Sequence, residues 1–262
     1  MNLDLSGKSA LVCGASAGIG RACAVELASL GATVTVAARS ADKLAALAAE
    51  LPRPGGQNHA ALVLDLSKPV EARQAVTTRV AEAGAYHILI NNTGGPPSGP
   101  LLEATAAQFL AAFETLLLTA HHLVQVVSPG MKQAGYGRII NIASTSVKQP
   151  IQGLGLSNAV RAAVANWAKT LSQELGGFGI TVNNVLPGYT DTERLQMLFE
   201  ARSGKSGQSV EAIREEVVRS IPAARLGRAE DIAAAAGFLA SPAAGYINGI
   251  NLPVDGGRLG CL

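Results

Sequence analysis

Ser9-Ala10-Leu11-Val12-Cys13-Gly14-Ala15-Ser16-Ala17-Gly18-Ile19-Gly20 lies close to the start of the chain, and its reading decides the fold. Ser9–Cys13 is a short, continuous apolar run with little polar alternation, the mark of a strand buried on both faces. A glycine-rich turn follows, and a helix-periodic stretch opens at about residue 20. A strand-turn-helix of this kind needs glycine where the turn is tight, where backbone must approach a pyrophosphate and where helix meets strand. The helix N-terminus then offers unpaired N–H groups and a partial positive charge to the phosphates. Gly14, Ser16, Gly18, Ile19 and Gly20 are therefore the candidate phosphate loop of a dinucleotide site. A P-loop is excluded, because Gly7-Lys8-Ser9 and Gly204-Lys205-Ser206 both lack the upstream glycine.

Outward from this loop, short apolar runs alternate with helix-periodic stretches. The runs are Ser9–Cys13, Thr33–Ala37, Ala60–Leu64, Ile88–Ile90, Ile139–Ile142, Ile180–Leu186 and Ile250–Val254. Helical patterns occupy roughly 20–30, 41–51, 68–83, 105–134 and 154–176. Such β-α-β alternation predicts right-handed crossovers and an α/β fold: one Rossmann domain over 1–262, with a doubly wound, seven-stranded parallel sheet and helices on both faces. Two segments break the rhythm. Gly94-Gly95-Pro96-Pro97-Ser98-Gly99-Pro100 is a stiff loop after the fourth strand. Residues 191–225 are polar and helical in pieces, with a soft stretch at Ser203-Gly204-Lys205-Ser206-Gly207. Both follow the carboxyl end of a strand, where doubly wound folds bind ligands, so 191–225 reads as a flap over the site.

The second strand ends in Ala37-Ala38-Arg39-Ser40. A carboxylate here would bind ribose hydroxyls and repel a 2′-phosphate. Instead Arg39, beside Ser40, offers a planar donor fork suited to phosphate. A hydrogen bond to a charged group is worth about 1.5–3 kcal/mol, enough to set cofactor preference. The expected cofactor is NADP(H).

Composition bounds the rest. The chain has 262 residues, is 48% hydrophobic and carries a formal charge of +2, with a pI near 8.5. No Lys/Arg cluster suggests nucleic acid or an anionic membrane. The apolar runs are strand-length or broken by charge, so no membrane span is expected. Cys13, Cys23 and Cys261 make no C-x-x-C and no zinc spacing, and the N-terminus lacks a signal-peptide pattern. No metal site is expected, and a reducing, cytoplasmic location fits. Adjacent His121 and His122 on one helix cannot face a single ligand together, which favours packing roles.

With the spacing in hand, the chain resembles the short-chain dehydrogenase/reductase family, especially its 3-oxoacyl-(acyl-carrier-protein) reductase-like branch, over essentially its whole length. The glycine motif reads Gly14-x-x-x-Gly18-x-Gly20, with Cys13 where the family usually has Thr. Asp65-Leu66 looks like the adenine contact. Asn91-Asn92-Thr93-Gly94 resembles the family's Asn-Asn-Ala-Gly, so the resemblance implies that Asn92 and Gly94 line the cofactor channel. Pro187-Gly188-Tyr189-Thr190-Asp191-Thr192 resembles the Pro-Gly motif, implying nicotinamide and phosphate contacts from Pro187, Gly188, Thr190 and Thr192. Val254-Asp255-Gly256-Gly257 matches the family's last strand ending.

The family's reaction uses a Tyr as acid/base, a Lys that lowers its pKa, a Ser that holds the substrate oxygen and an Asn that anchors a relay water. The strand Gly137-Arg138-Ile139-Ile140-Asn141-Ile142-Ala143 leads to Ser144 as that Ser. Counting onward as the family does, the Tyr position reads Ser157 and the Lys position reads Arg161; the Asn position reads Leu116. Tyr-x-x-x-Lys is thus degenerate. Serine is a far weaker acid than a phenol, and a guanidinium does not deprotonate at working pH. Ser144, Ser157 and Arg161 remain the candidate catalytic set, with Tyr189 and Lys148 as possible substitutes for the missing acid. The resemblance implies hydride transfer to or from a small carbonyl or alcohol substrate of 3-oxoacyl type by a rearranged proton relay. The alternatives are a catalytically impaired nucleotide-binding sensor or partner subunit, and, through Arg161, elimination or isomerisation of an anion without net redox change. Helices 105–134 and 154–176 match those through which the family forms oligomers, implying a homotetramer or dimer.

Overall fold

The structure, a computed structural model, describes residues 1–261, so Leu262, the last residue of the expected domain, lies outside the described residues. Its strands are β1 (Ser9–Cys13), β2 (Thr33–Ala38), β3 (Ala60–Val63), β4 (Ile88–Asn91), β5 (Gly137–Ile142), β6 (Ile180–Pro187) and β7 (Asn251–Val254). They form one parallel sheet in the order β3-β2-β1-β4-β5-β6-β7. The helices are α1 (Gly18–Ser29), α2 (Ala41–Glu50), α3 (Pro69–Ala83), α4 (Ala106–Phe113), α5 (Thr119–Ala134), α6 (Gly155–Gly176), α7 (Glu193–Ser206), α8 (Val210–Arg219) and α9 (Ala229–Ala240). Strand order reverses between β1 and β4. A cleft opens there at the carboxyl ends of the strands, as this topology requires.

Successive residues of each central strand serve opposite faces, which is why the runs lack polar alternation. Val12, Ile90, Ile140 and Val185 pack with α1 and α9 through Cys23, Leu27, Ile232 and Leu239. Leu11, Leu89, Ile139 and Val182 pack with α3, α5 and α6 through Val76, Leu123, Val127 and Ala168. Each fully buried Leu or Ile contributes about 1.5–3 kcal/mol against exposure. The alanine richness has a steric cause. A side-chain carbon on Gly237 of α9 would lie 2.8 Å from Glu26 Cγ of α1, so the two helices nearly touch.

One polar row crosses this apolar interior. Asn91, Asn141, Asn184 and Asn251 occupy matched register positions on β4, β5, β6 and β7. Each Nδ2 donates to the next strand's Oδ1 at 2.8 Å. Their burial is tolerable because the amides pair with one another.

Four expectations need correction. The predicted helix 105–134 is α4 and α5 joined by a π turn at Glu114–Leu118. Thr119 Oγ1 donates toward Glu114 O at 3.0 Å and Leu66 O at 2.8 Å, which holds the bulge. By length and composition Ala106–Ala134 is long and apolar enough to cross a membrane, with mean hydropathy 1.4, contrary to the expectation that nothing is. Here it packs on α3 and α6. The soft stretch Ser203–Gly207 is mostly helix: α7 runs through Ser206, and Gly207, at φ +73°, closes it. Finally, α9 had no counterpart in the predicted helices. Its start is set by Asp231, whose carboxylate accepts from Arg228 N at 2.8 Å. Cys13 and Cys23 are buried and Cys261 is exposed, all three as free thiols.

Candidate active site

The glycine loop is closed by sterics. Gly14 and Gly18 have φ of +61° and +53°. A side-chain carbon at Gly20 would lie 2.2 Å from Gly14 O, and one at Gly14 would lie 2.6 Å from Asn92 Nδ2. Asn92 Nδ2 in turn donates to Cys13 O at 3.4 Å and Gly14 O at 3.3 Å, tying the end of β4 to the loop after β1. No side chain caps α1. Its first N–H groups are left for an anion, and Gly14, Gly18 and Gly20 let the backbone of the turn approach it closely. These residues fit the diphosphate of a dinucleotide.

The loop opens into a cavity of about 870 Å³. Of the phosphate-loop residues, Gly14, Ser16, Gly18 and Ile19 line it. Gly20 does not, because it is spent on packing against Gly14 O. Arg39, Ser40, Asp65, Leu66, Asn92, Gly94, Pro187, Gly188, Thr190 and Thr192 all border the same space. Arg39 forms no ion pair among the described residues. Lys43, which the sequence reading missed, stands beside it on the wall. Asp65 accepts from Ser67 N at 2.9 Å and Ser67 Oγ at 2.8 Å. The Ser67 N–H, with the nearby charges of Arg39 and Lys68, holds its carboxyl below the usual range.

Ser144, Ser157 and Arg161 line the cavity too. Ser144 follows β5, and its Oγ accepts from Ser146 N at 3.1 Å. Ser157 Oγ, one helical turn before Arg161 on α6, accepts from Arg161 Nε at 3.2 Å. Arg161 Nη1 donates to Ile142 O at 3.0 Å and Ala143 O at 2.7 Å, bracing α6 against the end of β5. Burial, and then the charge of Arg194, pushes the Arg161 guanidinium down to about 10. It is still a cation at neutral pH. Leu116 is buried against Val160 and Val164 of α6. Its neighbour Thr115 borders the cavity instead, because the π turn rotates this part of the helix. Tyr189 also lines the cavity, with the Arg258 guanidinium 4.6 Å above its ring. Lys148 is not among the residues that wall it. His121 and His122 point to separate partners, the first accepting from Trp167 Nε1 at 3.3 Å and the second 3.3 Å from Pro69 O.

The segment after β6 covers one side. Gly188 is pressed on Asp255, where a side-chain carbon would approach to 2.7 Å. Thr192 Oγ1 caps α7 by accepting from Leu195 N at 3.3 Å. α7 and α8 enclose a small core of their own, Leu195, Phe199, Ile213 and Val217.

A glycine-walled phosphate cradle at the switch point of a doubly wound parallel sheet defines a dinucleotide-binding Rossmann protein. The family model described as Enoyl-(Acyl carrier protein) reductase matches residues 14–258. The chain belongs to the short-chain dehydrogenase/reductase family. It is 36% identical over 255 residues to the 3-oxoacyl-[acyl-carrier-protein] reductase FabG of Pseudomonas aeruginosa, covering 97% of this chain and 98% of that one. Among solved structures, YwfH, an NADPH-dependent reductase involved in bacilysin biosynthesis, superposes with a TM-score of 0.92 at 29% identity, covering 98% of this chain and 100% of the other. The L-sorbose reductase of Gluconobacter frateurii, complexed with NADPH and L-sorbose, gives a TM-score of 0.92 at 31% identity over 100% of both chains.

Proposed function

We propose that the protein is an NADP(H)-dependent oxidoreductase acting on a carbonyl or alcohol substrate, with a proton donor other than the family's tyrosine. The observation that carries this reading is that Ser144, Ser157 and Arg161 border the same cavity as the glycine loop. NADP(H) is supported by Arg39 and Lys43 on the cavity wall and by the NADPH named for both reductases of like fold. When bound, the nicotinamide supplies or accepts the hydride. Gly14, Ser16, Gly18 and Ile19 would hold the diphosphate, with Gly20 keeping the loop closed. Arg39 and Ser40 would hold the 2′-phosphate, and Asp65 and Leu66 the adenine. Asn92, Gly94, Pro187, Gly188, Thr190 and Thr192 would hold the nicotinamide half, under a flap formed by 191–225.

The hydroxyls of Ser144 and Ser157 each accept an N–H from the protein, which leaves both O–H groups free to donate into the cavity. Ser144 then holds the substrate oxygen, and Ser157, next to a fixed cation, relays a proton between that oxygen and water, taking one in as it gives one up. Replacing a positioned phenol by a serine costs about 10²–10⁴-fold in rate, so slow turnover is expected. The test is NADPH consumption with ketones, aldehydes and 3-oxoacyl thioesters, alongside calorimetric NADPH binding. Binding without turnover on any substrate favours a sensor or partner subunit. That second reading draws on the brace role of Arg161, whose Nε and Nη1 are committed to Ser157 and the end of β5. No affinity for NADP(H) overturns both. We place the protein in the cytoplasm as a homotetramer or dimer through α4, α5 and α6; a monomer by light scattering would refute the assembly.

A further inference from the structure

Three guanidinium groups enter the cavity between α6 and α7: Arg161 from α6, Arg194 from the first turn of α7 and Arg258 from beyond β7. Among the described residues none of them pairs with a carboxylate. Their hydrogen bonds are with other groups. Arg194 Nη2 donates to Pro96 O at 2.8 Å. Arg258 lies over Tyr189, and its buried Nε has no partner. Arg161 commits Nε and Nη1 to protein oxygens, while its Nη2 has no acceptor among the described residues.

The Nη2 atoms of two of these groups converge on Gly95; that of Arg161 has no acceptor among the described residues, and that of Arg194 has one N–H left over after its bond to Pro96 O. A side-chain carbon built there would lie 3.6 Å from Arg194 Nη2 and 3.7 Å from Arg161 Nη2, with nothing else within 4 Å. Two like charges therefore face one vacant spot across a residue that has no side chain. An anion between them would offset both the burial of Arg161, the larger cause of its lowered value, and the charge of Arg194 beside it. Two guanidinium nitrogens that converge on one point can each donate to one oxygen of a carboxylate.

We infer that Arg161 and Arg194 form a carboxylate seat, so that the substrate is an oxo- or hydroxy-acid anion rather than a neutral ketone. This rests on the reading of the cavity as the substrate site. The same oxyanion chemistry could be offered by the cofactor's diphosphate, and the experiment separates the two.

The protein–NADP⁺ complex is titrated calorimetrically with short α- and β-oxo acids and with their methyl esters. The acids are expected to bind about ten- to hundredfold more tightly than the esters, the range for a charged hydrogen bond. Arg194→Met should remove that preference while NADPH affinity stays unchanged. Arg194 is exposed, so the substitution leaves the core packing untouched, and a thermal melt checks that the variant is folded. Gly95→Ala meets no atom closer than 3.6 Å yet fills the seat, and should weaken acid binding alone. Equal binding of acids and esters, or no acid binding, overturns the inference. Loss of NADPH affinity in Arg194→Met assigns the pair to the diphosphate and overturns it equally. Because binding is read rather than turnover, a protein that transfers no hydride still gives a decisive answer.

Discussion

Ser157 and Arg161 were locatable by counting from Ser144 with the spacing that the family resemblance implies. What each side chain touches was not, since it depends on how β5 meets α6. If Ser157 moves the proton, Ser157→Ala should lower kcat about 10²-fold, the lower end for a positioned acid, with NADPH affinity unchanged by calorimetry. An equal loss of NADPH affinity would mark the hydroxyl as a support for Arg161 instead. Thr115 and Arg194 escaped the sequence reading for one reason: a π turn and a docked flap set their directions, and neither has a periodicity of its own. The thiols give an independent check. Burial pushes Cys13 and Cys23 up to about 12, so neither forms the reactive thiolate near neutral pH. Alkylation of the folded protein should label Cys261 alone, and all three after denaturation.

The glycine loop was the most legible element, because geometry admits almost no other residue there. Gly20→Ala would press a methyl onto backbone oxygen at 2.2 Å. It should destabilise the fold by about 1–3 kcal/mol in urea unfolding and weaken NADPH binding at the same time. The start of α9 was legible only in hindsight, since Ala229–Ala240 shows small residues rather than a strong apolar stripe. Asp231 marks it. Arg225, and then the Arg228 N–H, draws its carboxyl down to about 2, from an ordinary 3.8. Because the folded value is the lower one, its contribution is complete above the ordinary value and is lost as pH falls toward about 2. Asp231→Ala should cost about 1 kcal/mol at neutral pH, as caps do, and flatten stability loss below about pH 4. Thermal melts of both proteins between neutral and acid pH read this directly.

The alternation of strand and helix patterns foretold the doubly wound sheet, because two-sided burial leaves the central strands mostly apolar with little polar alternation. The asparagine row was read only in part: Asn91 and Asn141 fell within quoted stretches, but their pairing declares itself only when four strands lie side by side. Asn141 accepts from Asn91 and donates to Asn184, each at 2.8 Å. Asn141→Leu leaves a buried donor and a buried acceptor without partners, about 1–3 kcal/mol for each, and urea unfolding should show that loss. A sheet covered on both faces has no wet side, so a strand that slips along its neighbour meets little penalty from its apolar side chains. The row supplies the missing yardstick, because any slip sets an amide against hydrocarbon. Asn92 comes directly after one rung, while Ser144 and Pro187 each come three residues after another. The depth at which these residues enter the cleft is thus measured off from a ruler of amides laid across the sheet.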